Sequence, residues 1–178
     1  MSSRSTGRIG TLREVQVIVA CFGNTLRGDD GFGVAVAHRL LAGNVPPGVR
    51  VLEIGIGGIH LVQELLDRVD VLIVVDAVDV GRPPGTVVVL DPEVDDVTEL
   101  TVNQRRDALA DMHLATPERV FVLARGLGVL PAVTLVIGCQ AVDAERYGEG
   151  LSPVVADGVQ AAVSEVRRTV CEHGIAWH

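Results

Sequence analysis

Apolar positions along the chain fall into two patterns. Five short runs rich in Val, Ile and Leu, at Val15–Phe22, Val49–Ile54, Val71–Asp76, Thr86–Leu90 and Val133–Gly138, are mostly apolar on both faces. Runs of that kind are strands covered from both sides, whereas a half-exposed strand alternates. Between them the spacing turns helical. Gly31–Leu41 carries Val34, Ala37, His38 and Leu41 on related faces, and Ile59–Asp67 carries Leu61, Leu65 and Leu66. A third helix over Val120–Gly126 follows Thr116-Pro117-Glu118, read as an N-cap, a first-turn proline and an acidic first turn. The last helix starts near Ser152-Pro153 and runs to about Glu172, with His173-Gly174 as its stop.

Strand–helix alternation of this kind predicts an α/β fold, a three-layer sandwich with helices on both faces of a mostly parallel, twisted, five-stranded sheet. The link between the third and fourth strands, "AVDVGRPPG", is too short for a crossover helix, so that pair is expected to be antiparallel. No linker, repeat or low-complexity stretch divides the chain. Residues 1–14 are expected to be a flexible N-terminal segment and 15–178 a single α/β domain. Asp91–Met112 is acidic, lacks periodicity and is long for a plain loop, which marks it as functional, mobile or partly helical.

Composition narrows the function. A net charge of −8 argues against nucleic acid or an anionic membrane as partner. One Trp, one Tyr and three Phe are too few for a base-stacking platform. The first apolar run is too short to span a bilayer and is followed by "GNTLRGDD" instead of a cleavage site, so the chain is expected to be cytoplasmic. Cys21, Cys139 and Cys171 are widely spaced, without a CxxC pair, and read as free thiols.

Ligands of open α/β sheets bind beyond the carboxyl ends of the strands. Asp29 and Asp30 arrive there after the first strand, Asp76 and Asp79 at the end of the third, and His113 just ahead of the Thr116-Pro117 helix start. The glycine-rich turn "FGNTLRGDDGFG" has the outline of a phosphate cradle, but its first glycine position is Cys21 and two carboxylates would repel a phosphate. Asp29 reads as a structural carboxylate at a helix N-terminus, a role that Asp30 can combine with a second one. Asp76 closes an apolar strand and must find partners there. His60, after "GIGG", reads as a helix-start residue and His38 as packing or surface. Carboxylates and one imidazole in one crevice suit Ni²⁺, Zn²⁺ or Fe²⁺ better than Mg²⁺ or Cu⁺. The set is sparse for a resident catalytic zinc, which commonly has three committed protein ligands.

The motifs "GNTLRGDDGFG", "LIVVDAVD", "MH" ahead of a helix and "GEGLSPVV", in that order, resemble the hydrogenase maturation proteases from about Val15 to Arg168. The first two together are specific; either alone is not. The resemblance implies an endopeptidase that removes the C-terminal extension of a nickel–iron hydrogenase large-subunit precursor. It implies that Asp30, Asp76 and His113 contact nickel carried by that substrate, with no resident organic cofactor and a monomeric enzyme. It places substrate recognition in "EIGIGG", with Glu53, Gly55, Gly57 and Gly58 as candidates, where the family more often reads D-G-G-T-x-G. Other departures are Cys21 for the usual glycine, Asp30 where many members have Glu, and "ADM" before His113 in place of a serine-rich stretch. No Ser-His-Asp or Cys-His arrangement is legible, so an activated water is the expected nucleophile, with Asp30 or Asp76 as catalytic base. The alternatives are a non-cleaving nickel chaperone or checkpoint protein with the same ligands, and a metallo-amidase with its own zinc.

Overall fold

The computed structural model describes residues 13–94 and 116–178. The segment 95–112, His113 and residues 1–12 of the N-terminal segment therefore lie outside the described residues. Along the chain the elements are β1 (Val17–Phe22), a 3₁₀ turn (Gly28–Gly31), α1 (Phe32–Leu41), β2 (Val49–Gly55), α2 (Gly58–Glu64), β3 (Val71–Val78) and β4 (Val87–Leu90). After the undescribed segment come α3 (Pro117–Gly126), β5 (Val133–Gln140) and α4 (Pro153–Glu172).

The five strands form one sheet in the order β2-β1-β3-β5-β4. β1 pairs in parallel with β2 and β3, and β3 in parallel with β5. Fully apolar strands fill two layers. On one face Val19, Cys21, Ile73 and Val75 pack with Phe32, Val36 and Leu40 of α1 and with Val155, Val163, Val166 and Val170 of α4. On the other, Ile18, Ala20, Phe22, Leu72 and Val74 pack with Leu61 and Val62 of α2 and with Val120, Phe121 and Ala124 of α3. Alternate residues of the same strand thus feed opposite layers, as a strand period of two requires.

The short β3–β4 link does reverse the chain, but β3 and β4 are not neighbours. β4 pairs antiparallel with β5, which lies between them. Eight residues of β3 pair with eight of β5, a longer match than four-residue β4 offers. The link instead arches over the end of β5. The Gly85 N–H donates to Gln140 O (2.9 Å), and the Gln140 N–H donates to Thr86 O (2.9 Å). The buried Gln140 amide oxygen accepts from Val80 N (2.9 Å) and Arg82 N (3.1 Å). Stepping over one strand needs about 10 Å, well within the reach of nine residues.

The expected caps also differ. Pro117 and Pro153 do open α3 and α4, but neither Thr116 nor Ser152 makes a side-chain cap bond. Cys21, Cys139 and Cys171 are free thiols, the first two buried.

Candidate functional site

The carboxyl ends of β1 and β3 lie side by side, Cys21 in register with Val75, so the turn after β1 stands next to Asp76. Close packing seats that turn. A side-chain carbon on Gly33 would come within 2.1 Å of Phe22 O and 2.5 Å of Val75 O, so only glycine lets the start of α1 press onto both strand ends. Gly23, at a φ of 135°, lets the Asp30 carbonyl approach to 2.0 Å of where a β-carbon would stand.

Within the turn the two adjacent aspartates face different surroundings. Asp29 is 1% exposed. One carboxylate oxygen accepts from Ser152 N (2.6 Å) and the other from Val142 N (2.9 Å), Asp143 N (3.3 Å) and Ser152 Oγ (3.0 Å). Burial pushes its pKa up, but these four donors outweigh it and hold the group below its usual value. Asp29 is therefore structural, as its sequence position suggests. Its partners, however, are not the local turn: they lie in the β5–α4 loop and at the start of α4, more than 110 residues away.

Asp30 is partly buried and its pKa is raised. Burial is the main cause and the Glu145 charge adds to it, while the Asn24 N–H and the Arg27 charge oppose it. Asp76 points into the layer of α2 and α3, since its strand neighbours Leu72 and Val74 do. Its carboxylate accepts from the N–H of the next residue, Ala77, at 2.8 Å. Burial, and after it the charges of Asp30 and Glu118, raise its pKa to about 7 against that bond. The charge of Asp30 thus acts on Asp76, in a setting that disfavours a second negative charge. A cation relieves both the burial and the repulsion.

The remaining sequence candidates are distributed around this pair. Asp79 is exposed and accepts from the Gln140 amide nitrogen (3.1 Å), so it serves the β3–β4 link. Glu53 is exposed at the end of β2 and pairs with His38 at 3.0 Å. Gly55 closes β2 and accepts from Gly23 N (3.2 Å), Gly57 precedes α2, and Gly58 is buried in its first turn. His60 is exposed on α2. Cys21 lies beneath the site, its thiol pKa raised by burial and then by Asp76 and Glu53. Among the described residues no three His, Cys, Asp or Glu side chains form a group able to hold a metal ion.

Glu118 and the Arg27–Glu145 pair were not read from the sequence as parts of this region. Glu118 was legible only as a helix-start acid. The signal for more was its place five residues after His113, at the head of a helix on the Asp76 side of the sheet. Arg27 and Glu145 are 118 residues apart and pair at 3.1 Å, which no local pattern shows.

A mixed α/β sheet with two partly buried carboxylates at its carboxyl edge has them where proteins of this fold class bind their ligands. Similarity to known proteins narrows it. The sequence profile of the hydrogenase maturation protease family, HycI, matches residues 34–169. The hydrogenase expression/formation protein HupD of Rhodobacter capsulatus is 35% identical over 161 residues, which cover 90% of this chain and 73% of that protein. The hydrogenase maturating endopeptidase HybD from E. coli superposes with a TM-score of 0.72 at 25% identity, covering 91% of this chain and 96% of the other. A hydrogenase 2 maturation peptidase from a Thaumarchaeota archaeon gives 0.63 at 31% identity, over 87% and 97%. The chain belongs to the hydrogenase maturation protease family. It is accordingly a hydrolase, an endopeptidase of hydrogenase maturation.

Proposed function

We propose that the enzyme cuts the C-terminal extension from a nickel-loaded hydrogenase large-subunit precursor, and that nickel on that substrate is what the acidic crevice recognises. The observation that carries this reading is the Asp30–Asp76 pair: two under-neutralised carboxylates, Asp76 with one backbone donor and a pKa raised to about 7, and Asp30 with its pKa raised although the Asn24 N–H and the Arg27 charge oppose it. A divalent cation arriving with the substrate supplies the missing charge, so a loaded precursor binds where an empty one is repelled or ignored. His113 is the third ligand in this reading. It precedes Thr116 by three residues, a chain length of at most about 11 Å, and Thr116 heads the helix whose Glu118 already acts on Asp76.

Nickel held in this way orients the scissile bond and polarises its carbonyl. The attacking group is water, with Asp30 or Asp76 as the base that takes its proton. Glu53, Gly55, Gly57 and Gly58 contribute to the choice of precursor, the enzyme works as a monomer in the cytoplasm, and 15–178 forms a single domain. Among the described residues no helix is long and apolar enough to cross a membrane.

The test is incubation of the enzyme with nickel-loaded and nickel-free large-subunit precursor, read by mass spectrometry. Loss of the extension only from the loaded form is expected. Equal cleavage of both forms would remove nickel from the recognition step.

A further inference from the structure

The motif "GEGLSPVV" and the loop before it have so far no part in the reaction, yet the structure ties them to the reacting edge. The β5–α4 loop, residues 141–152, is joined to the turn after β1 by backbone pairing: Gly28 N–H donates to Gly148 O (2.8 Å) and Gly148 N–H to Leu26 O (3.0 Å). Asp29 draws Val142, Asp143 and Ser152 onto one carboxylate. Arg27 completes the join, paired with Glu145 at 3.1 Å and lying over the Tyr147 ring at 5.5 Å. The charges of Arg27 and Glu145 both act on Asp30, so the joined loops stand beside it.

This joined pair exposes apolar side chains. Tyr147 is 82% exposed, Leu26 60% and Val142 56%. Single exposed apolar residues are ordinary on any surface. Three on two loops that are fastened together next to the reacting carboxylates are a contact surface in waiting. Tyr147 is the only tyrosine of the chain, and Arg27 braces its ring, which lowers the entropy lost when a partner packs on it.

We propose that the β5–α4 loop is a wall of the substrate-binding surface, latched in place by the positioning residue Asp29, and that Tyr147, with Leu26 and Val142, receives an apolar side chain of the peptide flanking the scissile bond. The inference rests on the placement of the reacting site at Asp30 and Asp76 given above. The occupant follows from continuity with that site, because the joined loops stand beside Asp30 and offer a peptide cut there an adjoining surface. Charge points the same way: the loop carries Asp143, Glu145 and Glu149 against Arg146, so it favours neutral or cationic segments over acidic ones.

The experiment is steady-state processing of hydrogenase large-subunit precursor by the full chain, with Tyr147→Ala, the double variant Leu26→Ser with Val142→Ser, and Leu127→Ala as an exposed control remote from the site. Tyr147→Ala and the double variant are expected to raise KM at least five-fold with kcat within two-fold and an unchanged Tm. Tyr147→Phe should restore most of the loss. A KM within two-fold of the parent in both variants, or a fall in kcat alone, overturns the proposal. Running loaded and nickel-free precursor in parallel keeps the two readings apart: equal cleavage of both sinks nickel recognition, while the KM shift still decides the loop.

Discussion

Two acidic groups stand at neighbouring strand ends, and they are held in opposite ways. The turn after β1 gives Asp29 four donors, so the buried carboxylate stays charged and its pKa is lowered. The end of β3 gives Asp76 one donor, its own Ala77 N–H, and its pKa is pushed up to about 7. The same functional group is a fastener in one place and an unsatisfied carboxylate in the other. What separates them is whether burial comes with donors. A carboxylate whose lone pairs are all taken has nothing left for a substrate; one buried without them stores affinity for whatever cation or proton arrives.

That contrast can be broken most forcefully at the unsatisfied end. Asp76→Asn and Asp30→Asn should each reduce processing by a factor of about 100 or more, while the protein stays folded. The side-chain amide that Asp76→Asn introduces can still accept from the Ala77 N–H and carries no charge to bury. The Tm of that variant at pH 8 should therefore equal or exceed that of the parent. An active Asp30→Asn, or a collapsed Asp76→Asn, would reverse the assignment.

Asp29→Asn should behave in the other direction. All its backbone partners are N–H donors, and whichever way the amide is turned, its NH₂ faces at least one of them. The loss of an acceptor for a buried donor costs about 1–3 kcal/mol, which corresponds to roughly 3–10 °C in Tm for a chain of this size. Thermal unfolding reads it, and an unchanged Tm would show that the four bonds contribute little.

The two groups also predict opposite pH trends. For Asp76 the folded pKa is about 7 against a reference of 3.8, so the folded state binds the proton more tightly. Its contribution to stability is full below about pH 4 and is lost as pH rises toward 7. For Asp29 the folded pKa is depressed, so its contribution is present above about pH 4 and is lost as pH falls through the folded value. The Tm difference between Asp76→Asn and the parent should therefore grow between about pH 4 and 7. A difference flat across that window would mean that Asp76 is not held by burial.

The smallest effect is expected at the His38–Glu53 pair, whose side chains are exposed. Glu53→Gln should alter stability by less than about 0.5 kcal/mol. The recognition role proposed for it is read separately, as a change in the kcat/KM ratio between two different hydrogenase precursors. A constant ratio would take Glu53 out of substrate choice and leave the other positions of 53–58 to explain it.

Much of this molecule follows from the amino-acid order alone. Runs of Val, Ile and Leu without alternation can be stable only as strands covered on both sides, so the three layers were determined before any contact was known. Asp76 stands out for the same reason: an ionisable group at the end of such a run must find partners there. Three things were settled only in the folded chain. The sheet order put β5 between β3 and β4, because pairing energy depends on which strands match in length and not on which are consecutive. Asp29 gained its donors from residues 142, 143 and 152, and Arg27 gained Glu145 and Tyr147, all by long-range closure that leaves no periodic trace. And the difference between the two adjacent aspartates, one saturated and one open, is a matter of which way each carboxylate faces when loops from opposite ends of the chain meet. Local spacing sets where a charge sits; only tertiary contacts set how many donors surround it.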